Sequence, residues 1–206
     1  MRILKFPRLF AAAALLFAAL ALSATAATVD SADALLRLMN DPAAWSGDYT
    51  LTADVDLTGR AQSPIGNYET PFTGGFDGAG HTISGLNITA DGTAGLFGVL
   101  SGATVTDLTV KGSVENSFAA TDAETKLEDK YPGTGGIAGV ALSGTTLKNC
   151  VSRVSVKGPG NIGGLVGVIY NYDMYSVSVT DCENYAELSP TLGNAGGFFG
   201  RIQANS

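Results

Sequence analysis

Between positions 27 and 206, apolar residues alternate with polar ones in short runs, and glycine-rich turns separate these runs. In Thr104–Thr106 and Ser176–Thr180, β-branched or apolar positions alternate with polar ones. This two-residue period is typical of strands that bury one face. The pattern therefore predicts an all-β chain built from many short strands.

A glycine, two apolar residues and a second glycine stand together four times in the chain. The first glycines of these quartets are 41, 28 and 33 residues apart, and periods of about 20–50 residues are typical of solenoids and propellers. One coil cannot bury its own apolar face, so we expect the coils to stack. The glycines should allow close backbone approach at a corner while the two apolar residues enter the core. The quartets are Gly95–Gly98, Gly136–Gly139, Gly164–Gly167 and Gly197–Gly200.

An Asx residue follows each of the first three quartets in one register. Stacked coils would place Asp107, Asn149 and Asp181 about 4.8 Å apart. Asx residues tolerate left-handed backbone and hydrogen-bond nearby backbone groups, which predicts a ladder at a turn. A metal-binding row is the alternative, and the amide in the middle disfavours it.

Two cysteines occupy the position after the Asx residue. Cys150 and Cys182 are 32 residues apart, about one coil, and are predicted to stack facing the interior. A ladder of buried free thiols and a disulfide both remain open, because disulfides need Cα atoms about 4.4–6.8 Å apart. Neither cysteine has a nearby histidine, so a catalytic thiol is not expected.

These segments resemble the GLUG-motif repeat proteins. The quartets match the family's glycine–leucine–apolar–glycine signature, and Tyr49–Leu57, Ser63–Gly66 and Phe72–Leu86 are similar to the leader that precedes such repeats. The resemblance covers about residues 31–206. It implies a parallel β-helix-like solenoid, which we expect to be right-handed, in exported bacterial surface proteins that are often adhesin-like. Some members carry a separate peptidase domain, but the repeat implies no catalytic residue.

Residues 1–26 have the pattern of a secretory signal peptide. A basic start with Arg2, Lys5 and Arg8 precedes an apolar run over Leu9–Leu22 and the small residues Ala24–Ala26, as cleavable signals require. An uncleaved anchor is the alternative, but a membrane span needs about 20 apolar residues. We therefore expect a secreted or cell-surface protein with no membrane insertion after cleavage.

The acidic composition narrows the range of partners. The formal net charge is −7, and removal of the signal's three positive charges makes it −10. Without basic clusters, this charge disfavours nucleic acid and anionic membrane surfaces as partners. The remaining length suits one domain with a real core.

Residues 27–48 are predicted to form an N-terminal capping helix and linker. Ser31 can cap a helix over residues 31–40 that carries an apolar stripe and ends before Pro42,. The end of a solenoid needs cover, and this helix with Trp45 would supply it. Residues 49–206 then form the solenoid. We expect it to be incomplete at the C-terminus, as part of a longer protein, because the fourth quartet opens an unfinished coil.

The leader contains candidate metal and acid–base residues. Tyr49–Leu57 alternates as one strand, with Asp54 and Asp56 on its polar face. They could form half of a calcium site, but no third carboxylate is near in sequence, so a solvated face is expected. We expect Asp77 to cap a turn and His81 to hydrogen-bond across it or face solvent. No metal or cofactor is predicted.

A tyrosine-rich excursion is the candidate ligand site. Exposed aromatic rings can serve as platforms for sugars, and neighbouring polar groups can supply hydrogen bonds. The alternative is that the tyrosines fill a corner or cover the coil. The candidate residues are Tyr170, Asn171, Tyr172, Asp173 and Tyr175. A second excursion, the acid-rich residues 115–134, is predicted to be solvated.

The sequence as a whole favours a non-catalytic secreted or surface module for adhesion, display or carbohydrate contact. Its expected partner is a glycan or a host or extracellular-matrix surface protein. A lyase-like β-helix enzyme acting on polysaccharides is one alternative. Such enzymes need a base and charge-neutralising groups along one face, and the Lys and Arg residues here recur at no fixed register. A purely structural stalk or spacer is the other alternative.

Overall fold

The computed structural model describes residues 25–118, 133–171 and 175–204. Most of the predicted signal peptide, most of the acid-rich excursion, Tyr172 and Asp173 lie outside these ranges. The described ends of that excursion are not solvated as predicted, because Asn116 and Thr134 belong to strands and are buried. The described part holds one α-helix, α1 (Ala32–Met39), a 3₁₀ turn (Pro42–Ala44) and seventeen strands. In chain order the strands are β1 (Ala27–Val29), β2 (Tyr49–Leu51), β3 (Val55–Asp56), β4 (Gly75–Asp77), β5 (Thr82–Ala90), β6 (Phe97–Ser101), β7 (Thr104–Thr106), β8 (Thr109–Asn116), β9 (Gly133–Gly135), β10 (Ala138–Leu142), β11 (Thr146–Lys148), β12 (Val151–Gly163), β13 (Val166–Asn171), β14 (Ser178–Thr180), β15 (Glu183–Asn184), β16 (Leu188–Gly196) and β17 (Phe199–Ala204).

The strands form three sheets with parallel pairing, which confirms the prediction of an all-β chain. The first sheet has the order β1-β2-β4-β7-β11-β14, and the third has the order β17-β13-β10-β6. The second sheet runs β15-β12-β8-β5-β3, with β9 and β16 also pairing with β12. We call one passage of the chain through the first, second and third sheets a coil. Each coil pairs with the next in sequence, so neighbouring strands are about one repeat apart.

The glycine quartets lie at the corner between the second and third sheets. The two apolar residues of the first three quartets are fully buried, as predicted, whereas Phe198 in the fourth is 43% exposed. A Cβ atom at the second glycine would meet backbone atoms from an adjacent segment; for Gly139 these are Gly133 O, Ala94 N and Gly98 O, all within 3.0 Å. The repeat therefore needs glycine because backbones touch there.

The core lies between the three sheets and is continuous from the helix to the last coil. Its largest fully buried rings are Phe72, Phe76 and Phe97. The Phe97 ring centroid lies 5.1 Å from that of Phe72 and 5.5 Å from that of Phe76. Such tilted and edge-on contacts are favourable for aromatic pairs. The leader and the repeats thus share one core.

The N-terminal segment contains the predicted helix and one strand that the sequence did not predict. Ser31 caps α1 by accepting a hydrogen bond from Ala34 N at 3.3 Å, and Leu35 and Leu38 are buried. The Trp45 indole Nε1 donates to Leu38 O at 2.8 Å, which fixes the ring against the helix. Residues 27–29, predicted as linker, form β1 and pair with β2 at the edge of the first sheet.

The prediction of one strand over Tyr49–Leu57 is wrong. The structure has two short strands, β2 in the first sheet and β3 in the second, separated by a corner. Leu51, Val55 and Leu57 are all buried, because inward-facing positions keep the alternation through the corner. The sequence pattern records burial but does not show the change of sheet.

The last coil is covered on one side only within the described part of the chain. Ile202 is 60% exposed, whereas its strand neighbour Ile169 is 4% exposed. A Cβ atom at Gly197 would meet nothing within 4 Å, unlike the one at Gly164. In each preceding coil, apolar residues are buried by the next coil. The equivalent residues of the last described coil are therefore accessible to solvent.

Candidate functional site

The tyrosine-rich excursion begins where β13 ends. Tyr170 is half-buried and packs against a small cluster that includes Val140 and Val168. The Asn171 Oδ1 accepts a hydrogen bond from Val177 N at 2.8 Å, so this side chain closes the loop. Tyr175 is 67% exposed. Of the described candidates, Tyr170 and Asn171 pack at the corner, and Tyr175 presents a ring to solvent.

A second exposed aromatic group lies on the outer face of the second sheet, and the sequence analysis missed it. The Arg153 guanidinium carbon lies 4.0 Å from the centroid of the Tyr185 ring, and Tyr185 is 56% exposed. The Tyr185 hydroxyl donates to Glu183 Oε2 at 2.9 Å. Arg153 and Tyr185 are 32 residues apart, the same spacing as the cysteines. That spacing is the signal that could have identified the pair.

The Asx residues form the predicted ladder. Asp107, Asn149 and Asp181 have φ angles of 51°, 52° and 54°, in the left-handed region that Asx residues tolerate. Asn149 Nδ2 donates to Asp107 Oδ1 at 2.5 Å. These residues turn the chain from the first sheet to the second.

The two cysteines are stacked in neighbouring coils, as predicted, and both are free thiols in the structure. Cys150 is fully buried, and Cys182 is half-buried. The Cys182 Sγ accepts a hydrogen bond from Cys150 N at 3.4 Å. A hydrogen bond from the Cys150 thiol, aided by that N–H, lowers the pKa of Cys182 to about 7. The same thiol contact and burial raise the pKa of Cys150.

The acidic residues of the leader are held by local hydrogen bonds. Asp54 Oδ1 accepts from Thr82 N at 2.9 Å and lies 3.2 Å from His81 Nδ1. The His81 backbone N donates across its own turn to Gly78 O at 2.7 Å, as expected, and its side chain contacts the preceding coil, which the sequence did not predict. Hydrogen bonds from Thr82 N and His81 lower the pKa of Asp54. Asp77 Oδ1 accepts from Ala79 N at 2.8 Å and caps the turn as predicted.

The other leader carboxylate makes a similarly local contact. Thr58 donates to Asp56 Oδ1 through Oγ1 at 2.6 Å and through its backbone N at 2.9 Å. These bonds lower the pKa of Asp56. Across the described ranges, no three His, Cys, Asp or Glu residues are grouped so as to hold a metal ion. Asp54 and Asp56 thus serve the turns of the first coil.

Two open clefts flank the N-terminal helix. One of about 360 Å³ lies beside Met39, Trp45 and Asp91. The other, of about 550 Å³, lies beside Arg37, Asp41 and Tyr49. The Tyr49 hydroxyl donates to Ala44 O at 2.7 Å, and its burial raises the pKa of Tyr49. None of the described helices is long and apolar enough to cross a membrane.

The chain is similar to a curated protein in sequence and to a solved protein in structure. No protein-family model matches the chain. Halomucin of Haloquadratum walsbyi is 34% identical over 153 residues, which cover 68% of this chain and 2% of halomucin. A crystal structure from Bacteroides ovatus, of a protein provisionally described as an immunoglobulin A1 protease, aligns with a TM-score of 0.59 at 20% identity. The alignment covers 88% of this chain and 63% of that chain; at this identity it bears on the fold alone.

Proposed function

We propose that the chain is a right-handed parallel β-helix-like solenoid that serves as a non-catalytic secreted or cell-surface module for adhesion. The observation that carries this proposal is the stack of parallel coils with exposed aromatic rings on its outer surface. Each coil repeats the same three-sheet path, and such stacks present extended binding surfaces. The likeness to halomucin supports an extracellular location.

Two tyrosines are the proposed contacts for a glycan. Tyr175 and Tyr185 are 67% and 56% exposed, and both belong to the C-terminal half of the stack. A tyrosine ring offers an apolar face for a sugar together with a hydroxyl that can hydrogen-bond. Arg153 holds the Tyr185 ring from one side, which limits the conformational freedom lost when a ligand binds.

The absence of catalysis is also part of the proposal. His81 is engaged with Asp54, and no described nucleophilic side chain is hydrogen-bonded to it. A lyase would need a base and charge-neutralising groups that converge on one substrate position. The Lys111 and Arg153 side chains share a register on the second sheet, but the acid–base groups beside Arg153, Tyr185 and Glu183, are hydrogen-bonded to each other.

The test is binding of the signal-free chain, residues 27–206, to an array of glycans and extracellular-matrix proteins. We expect binding to one ligand class that is weakened by Tyr175→Ala or Tyr185→Ala. Tyr68→Ala is the matched control, because Tyr68 is 58% exposed but lies in the leader. Tyr172→Ala extends the test to the candidate residue outside the described ranges.

Three other results would change the interpretation. If a folded sample bound nothing on the array, this result would favour a purely structural stalk or spacer. Sugar products with a new carbon–carbon double bond would favour the lyase. A large loss of stability in Tyr175→Ala would show that this ring has a structural role.

A further inference from the structure

The column that contains the two cysteines joins the last two coils at a corner. Asn149 and Asp181 adopt left-handed backbone immediately before Cys150 and Cys182. Lys148 pairs with Thr180 before the corner, and Val151 pairs with Glu183 after it. Cys150 and Cys182 therefore occupy equivalent places on adjacent strands, about 4.8 Å apart at their Cα atoms. This separation lies within the range of about 4.4–6.8 Å that a disulfide requires.

The two thiols differ in access to solvent. Cys150 is fully buried, and its Sγ lies 3.5 Å from Val105 O and 3.4 Å from Lys148 O. Cys182 is half-buried, because no described coil covers it on its far side. A reagent from solvent can therefore reach Cys182 first.

The thiols also differ in reactivity, because Cys182 receives hydrogen bonds that favour its thiolate. Cys150 N donates to Cys182 Sγ at 3.4 Å. This bond and the one from the Cys150 thiol lower the pKa of Cys182 to about 7, although the neighbouring Asp181 carboxylate acts in the opposite direction. The thiolate is the nucleophilic form of cysteine, so the half-buried thiol is also the more reactive one.

We propose that Cys182 and Cys150 form a thiol–disulfide exchange site, in which Cys182 attacks a disulfide from solvent and Cys150 then closes a bond between the last two coils. In the first step, Cys182 loses its proton to solvent and its thiolate attacks one sulfur of a disulfide RSSR. The S–S bond of RSSR breaks, and RS⁻ leaves and takes up a proton. A mixed disulfide on Cys182 results.

In the second step, the Cys150 thiol loses its proton and attacks Cys182 Sγ. The S–S bond between Cys182 Sγ and the remaining RS group breaks, and RS⁻ leaves and takes up the proton that Cys150 lost, which gives the second RSH. Overall the protein loses two hydrogen atoms, and RSSR is reduced to two RSH. The oxidant is a disulfide of the oxidising extracellular space, either a small molecule or a protein. This site does not depend on the proposed adhesive function.

The product would stabilise the least covered part of the stack. Cys182 follows β14, and the chain after it supplies the exposed residues of the last coil, including Phe198 and Ile202. A bond between Cys150 and Cys182 closes a loop of about one coil and restricts the unfolded chain. We expect the midpoint of thermal unfolding to rise by about 5–10 °C on oxidation.

The test incubates the fully reduced, folded protein with glutathione disulfide and follows its intact mass. We expect the wild-type chain to lose the mass of two hydrogens, with both cysteines linked in one peptide after digestion. Cys150→Ser should stop as one glutathione adduct on Cys182. In Cys182→Ser, Cys150 should react with glutathione disulfide at least about tenfold more slowly than Cys182 reacts in Cys150→Ser.

Two controls keep the result interpretable. Circular dichroism shows whether each variant folds, and Cys150→Ala replaces Cys150→Ser if the buried hydroxyl prevents folding. Retention of both free thiols in the folded wild-type protein would overturn the proposal. Equal reaction rates for Cys150→Ser and Cys182→Ser would overturn the assigned order. Formation of the bond only in denaturant would show that the folded stack does not permit exchange.

Discussion

The first glycine of each quartet gives a prediction with a matched control inside the chain. A Cβ atom at Gly164 would come closer than 3.0 Å to Gly197 O and to Asn184 Nδ2. Gly164 N also donates to Gly197 O at 3.0 Å, and Asn184 Nδ2 donates to the same oxygen at 2.5 Å. Gly164→Ala therefore has to push the last coil away from this corner.

The magnitude follows from these contacts. Overpacking costs about 1–3 kcal/mol, and each weakened hydrogen bond adds about 0.5–1.5 kcal/mol. We expect Gly164→Ala to lower the free energy of unfolding by about 2–4 kcal/mol. Gly197 holds the same quartet position, but a Cβ atom there would meet nothing within 4 Å. Gly197→Ala should therefore change stability by no more than about 0.5 kcal/mol.

The measurement is urea-induced unfolding of both variants and the wild-type chain, followed by far-ultraviolet circular dichroism. Both variants should keep the wild-type dependence of unfolding free energy on urea concentration, so that a change in the unfolding midpoint reports a change in stability. Equal losses of unfolding free energy in Gly164→Ala and Gly197→Ala would refute this explanation. They would show that glycine is required for its backbone conformation and not for contact with the next coil. No loss in Gly164→Ala would show that the coils do not touch at this corner.

Three further predictions use the same measurement or simple chemistry. Phe97→Ala, which empties the ring cluster with Phe72 and Phe76, should cost about 3–5 kcal/mol; a loss below about 1 kcal/mol would contradict that packing. Asn149→Val should be less stable than Asn149→Gly by about 1–2 kcal/mol, because both lose the side-chain hydrogen bond but only valine resists left-handed backbone; equal stabilities would contradict the assigned φ. Alkylation of Cys182 by iodoacetamide should rise with pH to a half-maximal rate near pH 7, since the folded state favours the thiolate. A midpoint near the free-cysteine value of about 8.5 would contradict the contact with Cys150.

The sequence predicted those parts of the fold that repeat. The quartets identified the buried pairs, such as Leu165 and Val166, and the Asx register identified the left-handed corners. Both features depend on local chemistry that each coil reproduces. The strand boundaries in Tyr49–Leu57 were less predictable, because inward-facing positions alternate through a corner as they do along a strand. β1 was missed because three residues carry too little pattern to predict pairing with β2.

The contacts of the candidate site were predictable only where the pairing register between successive coils places two residues side by side. The 32-residue spacing placed Cys150 beside Cys182, and it could equally have placed Arg153 beside Tyr185. The role of Asn171 was not predictable, because its contact with Val177 N depends on how the excursion closes. The His81 contact with Asp54 joins residues 27 positions apart and becomes visible only when successive coils are aligned.

The most direct test of the stacked-coil account is nuclear magnetic resonance detection of couplings across backbone hydrogen bonds. The structure places Phe97 N 2.9 Å from Ile137 O, Ile137 N 3.0 Å from Leu165 O and Leu165 N 3.1 Å from Phe198 O. If the coils are stacked, couplings should be detected between these amide and carbonyl groups, each pair about one coil apart in sequence. Couplings between segments joined by short hairpins, with none between successive quartets, would contradict it.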